Sequence, residues 1–341
     1  MARQSPRPQR HGKRVADEPV SPSADSLRYA SDYHAPVLAR EVVEGLVTNP
    51  SGVYVDGTLG GGGHAAALLD ALGPDALVVG IDQDADALTT ATERLFDDLQ
   101  AGRFRALRGN FADMEALLAD AGLDAVDGVL LDLGISSHQI DEAARGFAFS
   151  ADGPLDMRMN AAAPETAADL INTLDVQALT DLLRAYGEEP RAWPIANAIV
   201  EQRPLATTGD LADAVRSAVP TREEVKTLAR VFQALRIAVN DEIGVLERVL
   251  GAALRVLKPG GRLAVIAYHS LEDRPTKHFL RFGNLEGEAR KDFFGNLLTP
   301  FTLLTRKPLT ASAAEVAANP RARSARLRIA EKKPDRPPEP S

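Results

Sequence analysis

Val53-Tyr54-Val55-Asp56-Gly57-Thr58-Leu59-Gly60-Gly61-Gly62-Gly63-His64 is the stretch whose reading decides the fold. A β-branched run closes on an aspartate, five glycines follow within seven residues, and an alanine–leucine run comes next. This predicts a strand, a glycine-rich turn and a helix. Glycine is needed in such a turn because some positions take positive φ. Others let backbone N–H groups close on a ligand lying over the helix N-terminus. Dinucleotides and S-adenosylmethionine (SAM) use turns of this kind alike, so the turn by itself names no cofactor.

Outward from that turn the pattern repeats. Val42, Val43, Leu46 and Val47 stand at helical spacing before it. After it, Ala76–Ile81 reads as a second strand ending in Asp82-Gln83-Asp84. An acid at that point, some 20–25 residues past the turn, is where doubly wound sheets bind a ribose hydroxyl pair. Asp82 could instead cap the helix that follows; the turn upstream favours the ribose. Phe104–Leu107 predicts a third strand, and Phe111 just beyond it could lie against an adenine face or belong to the core. The fourth strand, Asp127–Gly134, delivers Asp132, Ser136 and Gln139 to the mouth of the sheet. Ligands of open α/β sheets sit beyond the carboxyl ends of the strands.

The βα alternation then stops, and residues 146–239 read as helices that shape a substrate pocket or only add core, the pocket being favoured. Asp175 is expected to cap a helix closed by Gly187, Thr208 or Asp210 to start another, and Thr221-Arg222-Glu223-Glu224 to form a capping box. The sheet resumes with Ile243, Leu246, Leu250, Leu254 and Leu257 on a helix, the turn Lys258–Gly261, and the strand Arg262–Tyr268. Past that strand, Ser270 with Asp273 reads as a helix cap. His269 is a metal ligand, a base or a hydrogen-bonded structural residue, the last being favoured. Ser312–Glu315 is a further capping signal, and Leu327–Ala330 a final strand.

Composition narrows the class. The 341 residues are 45% hydrophobic and 26% charged, as in globular proteins. No apolar run reaches the roughly 20 residues that span a bilayer. The first residues are rich in Arg and Pro with no apolar stretch of a signal peptide, so a cytoplasmic location is expected. With no cysteine, thiolate chemistry is excluded, and no metal is expected. The net charge is −9, yet Arg3–Arg14 and Arg321–Arg328 are basic runs without an acid. Basic ends on an acidic body point to a polyanion partner, or to solvated tails.

A helix leading to a strand over Leu257–Tyr268, after a fourth strand with a polar mouth, is the layout of SAM-dependent methyltransferases. The resemblance becomes specific in His34–Leu38, Asp56–His64, Leu131–Ser137, Asp152–Met159, Tyr186–Glu189, Phe232–Ile237, His269–Arg274 and Asn319–Ser324. Over residues 33 to 331 these segments resemble, in the same order, the bacterial 16S ribosomal RNA (cytosine-N4)-methyltransferases, the RsmH/MraW family. The chain departs from the family pattern at Glu189–Pro194 and at Lys226–Arg230, both within the helical insertion.

That resemblance implies an α/β fold, a Rossmann-like class I SAM-dependent methyltransferase sheet with a helical insertion domain. The SAM-binding part is 31–145 with 240–331, the substrate-recognition insertion 146–239, and the tails 1–30 and 332–341 are expected to be disordered. The implied activity is transfer of the SAM methyl group to N4 of a cytidine in the decoding region of 16S rRNA. The small ribosomal subunit is the implied partner, with no DNA and no membrane, the enzyme being a monomer or homodimer. The implied SAM contacts are Gly61, Gly62, Gly63, His64, Asp82, Phe111, Asp132 and Gln139. Asp132 and Ser136, at the end of the fourth strand, are the expected catalytic acceptors. Arg321, Arg323 and Arg326 with Arg158, Arg191 and Arg236 are candidate phosphate contacts; Arg236 could equally be a structural pairing residue.

Overall fold

The structure, a computed structural model, describes residue 29, residues 36–135 and residues 137–334, the side chains of residues 137 and 138 excepted. Apart from residue 29, the expected tail 1–30 lies outside the described residues, as do residues 31–35, the catalytic candidate Ser136 and residues 335–341 of the other tail.

Seven strands form one sheet: β1 (Val53–Asp56), β2 (Leu77–Asp82), β3 (Phe104–Arg108), β4 (Val126–Asp132), β5 (Leu257–Ala267), β6 (Phe301–Leu303) and β7 (Arg326–Lys332). Their order is β3-β2-β1-β4-β5-β7-β6. β1 to β5 are parallel, and β7 runs antiparallel between β5 and β6. This is the Rossmann-like sheet expected from the sequence. The three-residue β6 escaped the sequence reading because it is too short to show a period.

Successive strand residues point to opposite faces, and the two faces carry two cores. Tyr54, Val78, Leu130 and Ala264 pack with Val42, Leu46, Leu68 and Ala91 on one side. Val55, Val79, Leu131 and Val265 pack with Met114, Leu118, Leu246, Leu250 and Phe279 on the other. A third core, from Phe147 to Leu235, belongs to the helices Ala167–Thr173, Val176–Gly187, Ala192–Glu201, Thr208–Ser217 and Glu224–Val239. The helical segment therefore buries its own apolar faces rather than lying on the sheet.

Several local expectations need correction. Thr207, not Thr208 or Asp210, caps its helix, in a reciprocal box with Asp210. Thr221 makes no cap: residues Thr221–Glu223 form a short 3-10 turn, and Glu223 pairs with Arg191 at 3.0 Å. The left-handed residue closing Val176–Gly187 is Glu188 (φ 47°). Gly187 serves close approach, since a Cβ there would stand 2.9 Å from the carbonyl oxygen of Arg230 on the neighbouring helix. The helix Ser270–Phe282 is capped by His269 in a reciprocal box with Glu272, whose Oε2 also accepts the Tyr268 N–H at 2.8 Å. Ser270 reaches Glu188 instead, and Asp273 takes Arg328. β7 continues through Lys332, one residue past the expected boundary.

Candidate active site

The chain runs outward through β1, β2 and β3, then crosses to β4 on the other side of β1, so the strand order reverses between β1 and β4. Ligands of doubly wound sheets bind in the crevice opened by such a reversal. Asp56 pairs in register with Leu130, so β4 continues two residues beyond β1 and carries Asp132 to the rim. A cleft of about 110 Å³ lies there, open to solvent.

The glycine-rich turn forms one wall. Gly60 (φ 48°) and Gly62 (φ 74°) are in the left-handed region, and Gly62 is the residue from which the helix Gly63–Ala71 starts. Gly60, Gly61, Gly63 and His64 line the cleft. Gly62 does not: a Cβ there would stand 3.2 Å from Cβ of Ala91, so it turns the chain and packs behind the loop. Gly63 sits against Pro36, where a Cβ would approach Cδ to 3.0 Å.

Asp82, at the end of β2, accepts the Gly60 N–H on Oδ2 and the Asp84 N–H on Oδ1, both at 2.9 Å. These bonds tie turn to strand and fix the carboxylate plane, leaving one lone pair on each oxygen for a ligand. Asp84, not Asp82, caps the helix Ala85–Arg94. Burial raises the Asp82 carboxyl above its usual range against the pull of those backbone donors. Phe111 opens the 3-10 turn after β3 and lines the cleft, as does Gln139. Gln139 is buried and donates to Asp84 Oδ2 at 3.3 Å, the same oxygen that takes Arg145 at 3.1 Å.

Asp132 is the most constrained group. Its N–H donates to Thr58 Oγ1 at 2.6 Å, and its Oδ1 accepts the Tyr268 hydroxyl at 2.8 Å. Its Oδ2 stands 3.6 Å from His64 Nδ1. Burial pushes the Asp132 carboxyl up to about 7, against the Tyr268 hydrogen bond. Burial likewise drives His64 below the usual imidazole range. His64 Nε2 lies 2.9 Å from the carbonyl oxygen of Val37, which can only accept, so Nε2 carries the proton of the neutral ring. Nδ1 then turns a lone pair toward Asp132.

Asp56 completes the site from below. It is fully buried, its Oδ1 accepts the Thr58 N–H at 3.2 Å, and its Oδ2 has no partner. Burial raises it to about 6. A buried carboxylate oxygen without a partner is costly, and Asp56 lies behind the cleft rather than among its lining residues. The sequence assigned Asp56 and Tyr268 no role beyond ending their strands. No spacing rule links Tyr268 to Asp132; the β4–β5 pairing of Asp132 with Ile266 brings them together.

His269 and Arg236 resolve into a structural cluster. Arg236 donates to both oxygens of Glu242 at 2.8 and 2.9 Å and lies 3.4 Å from His269 Nε2. His269 meets Glu272 at 3.1 Å. Glu242, His269 and Glu272 have the spacing of a metal set, but the guanidinium of Arg236 already supplies their positive charge. The other arginines once read as phosphate contacts are largely engaged: Arg158 with Asp156, Arg191 with Glu223, Arg321 with Asp141, and Arg326 with Asp273.

The family model described as the MraW methylase family matches residues 31–333. The chain belongs to the MraW methylase family. Among its curated relatives, the ribosomal RNA small subunit methyltransferase H of Geobacter sulfurreducens is 50% identical over 309 residues, covering 88% of this chain and 98% of its own. The protein of the same name from Phocaeicola vulgatus is 46% identical over 304 residues, with the same coverages of 88% and 98%. That from Chlorobium chlorochromatii is 50% identical over 324 residues, covering 88% of this chain and 96% of its own. The MraW match thus includes the whole sheet, the glycine-rich turn and the helical segment.

Proposed function

We propose that this chain transfers the methyl group of SAM to the exocyclic N4 of a cytidine in 16S rRNA of the small ribosomal subunit. The reading places the protein in the cytoplasm with its substrate. The observation that carries it is the charge of the cleft. Asp82 and Asp132 line it with Asp56 beneath, and no Lys or Arg is among its described lining residues. SAM brings a sulfonium and an ammonium to such a wall, and the fit is good. A dinucleotide would bring a diphosphate against three carboxylates with no cation to receive it.

In this reading the backbone of Gly60, Gly61 and Gly63 and the buried His64 hold the amino-acid end. Asp82 takes the ribose hydroxyls, and Phe111 and Gln139 border the adenine. SAM, when bound, supplies a methyl group made electrophilic by its sulfonium. The N4 lone pair of cytosine is delocalised into the ring, so the amine is a poor nucleophile. Asp132, aimed by Tyr268 and Thr58, accepts an N–H of that amine and frees its lone pair. Positioning then supplies much of the rate, and a carboxyl near 7 is matched to proton transfer at neutral pH. Ser136, which follows Asp132 closely in the sequence, is proposed as a second acceptor.

The base must leave its stack to reach Asp132. A second cavity, bordered by Val37, Ile140, His269 and Arg321, shares Gly134, Ile135 and Tyr268 with the first. It is the space we assign to the base, with the helical segment 146–239 as the body that recognises its surroundings. The test is methyl transfer from labelled SAM to small subunits isolated from a strain lacking this gene, followed by nucleoside analysis. N4-methylcytidine is expected. Label in another nucleoside would remove the cytidine assignment, and no label on subunits, assembly intermediates or naked 16S rRNA would remove the activity.

A further inference from the structure

In the arginine-rich run, Arg321, Arg326 and Arg328 are held by carboxylates. Arg328 is buried, makes two hydrogen bonds to Asp273 at 2.7 and 3.1 Å, and shares that acid with Arg326. Arg328, its charge held by Asp273, lines a cavity of about 300 Å³. Lys277, Arg281, Thr305 and Arg306 line its walls. Lys277, Arg281, Arg306 and the adjoining Lys307 are exposed, and none has a carboxylate partner among the described residues. On a chain of net charge −9, such a cluster is a local inversion of sign.

An aromatic loop springs from the same place. The helix Ser270–Phe282 ends at Gly283 (φ 75°), and the chain returns at Pro300, which packs on Gly283. Lys277 and Arg281 precede this loop and Thr305 and Arg306 follow it, so both of its ends border the basic cavity. At its tip Asp292 accepts the N–H groups of Phe294 and Asn296 at 2.9 and 2.8 Å and builds a tight turn. That turn holds Phe293 and Phe294 97% and 85% exposed, their rings edge to face at 5.6 Å. Two neighbouring phenylalanines held in solvent by a capped turn are a stacking platform, and a basic groove beside aromatic faces is the chemistry of single-stranded nucleic acid.

We infer that Lys277, Arg281, Arg306 and Lys307, with Phe293 and Phe294, form a track for a single-stranded rRNA segment flanking the modified nucleotide. The inference rests on the proposed rRNA methylation and adds the path of the strand. The helix carrying Lys277 and Arg281 begins beside Tyr268, next to Asp132. At 1.5 Å per residue those two cations lie about 10 and about 16 Å along its axis from Ser270. An RNA strand whose base enters at Tyr268 would lay its neighbouring phosphates along this helix and stack bases at the loop.

Two variants of the full chain test this: Lys277→Ala/Arg281→Ala/Arg306→Ala and Phe293→Ala/Phe294→Ala. SAM affinity should stay at the wild-type value in both, which also reports folding. Affinity for naked 16S rRNA fragments, read without turnover, should fall about tenfold or more in each. The triple variant should also lose two to three units from the slope of log affinity against log salt. KM for small subunits should rise while kcat is kept. Unchanged RNA affinity and salt slope would overturn the track. Weakened binding to assembled subunits with unchanged binding to naked RNA would also overturn it, in favour of a ribosomal protein contact. A wild-type chain that binds RNA on these residues but methylates nothing would refute the proposed function while keeping the surface.

Discussion

The Tyr268 hydroxyl donates to Asp132 Oδ1 at 2.8 Å across the ends of two adjacent parallel strands. The bond fixes which oxygen of Asp132 is spent on the protein and which remains for a substrate. It also favours the ionised carboxylate, partly offsetting the burial that pushes this group up to about 7.

Tyr268→Phe should therefore raise the Asp132 carboxyl further. If Asp132 must be ionised to accept the N4 proton, the acid limb of the kcat profile moves to higher pH. Turnover at pH 7 should fall roughly tenfold, the scale of one lost hydrogen bond to a charged group. A pH–rate profile at saturating SAM is the measurement. An unshifted acid limb would show that Asp132 does not handle the proton.

Asp132→Asn keeps the shape of the strand end and removes the ionisable group, and should lower kcat by about a hundredfold or more. Normal kcat with weakened SAM binding would instead assign Asp132 to the cofactor alone. Single-turnover transfer and SAM titration separate these outcomes.

Asp56 and Asp132 are both raised, to about 6 and about 7. Between pH 4 and 7 the folded state therefore holds protons that the unfolded chain releases. The stability they contribute is present at low pH and falls as pH rises through the folded values. Thermal melts of the ligand-free protein should show this decline, flattened in Asp56→Asn/Asp132→Asn. A cationic ligand favours the ionised carboxyls, so SAM affinity should increase across the same window. Affinity that is flat from pH 5.5 to 8 would contradict the placing of the SAM cations beside these carboxyls.

Gly62→Ala forces a side chain into φ 74° and against Ala91. A loss of about 1–2 kcal/mol is expected from the left-handed backbone, together with weaker SAM binding as the turn shifts. Denaturant unfolding and SAM titration check both.

Arg328→Ala should act on stability, not on RNA. It leaves the buried Asp273 with the more exposed Arg326 as its only guanidinium partner. A cost of about 3 kcal/mol is expected for a buried pair broken from one side. RNA salt dependence should remain that of the wild type.

The sheet was legible because its signals are local. Glycines that turn a chain, an acid after a β-branched run, and apolar residues every third or fourth position are all written in neighbouring residues. Asp82 and Asp132 could be placed at strand ends for the same reason. What was illegible depends on distant partners. Tyr268 reaches Asp132 across 136 positions of sequence, and the basic run near residue 325 looked free until Asp273 and Asp141 were found against it. Capping failed by one residue at Thr207, where two adjacent threonines offer the same chemistry and only the backbone chooses.

Asp84 holds Gln139 and Arg145 on one oxygen, and Arg145 also donates to the carbonyls of Arg158 and Met159, at the root of the helical segment. Asp84 is in turn bonded through its N–H to Asp82. The root of the helical body, proposed to recognise the RNA, is thus latched to the residue proposed for the ribose. Any swing of that body about its root must strain the same latch. Release of the modified strand and exchange of spent cofactor would then share one moving part.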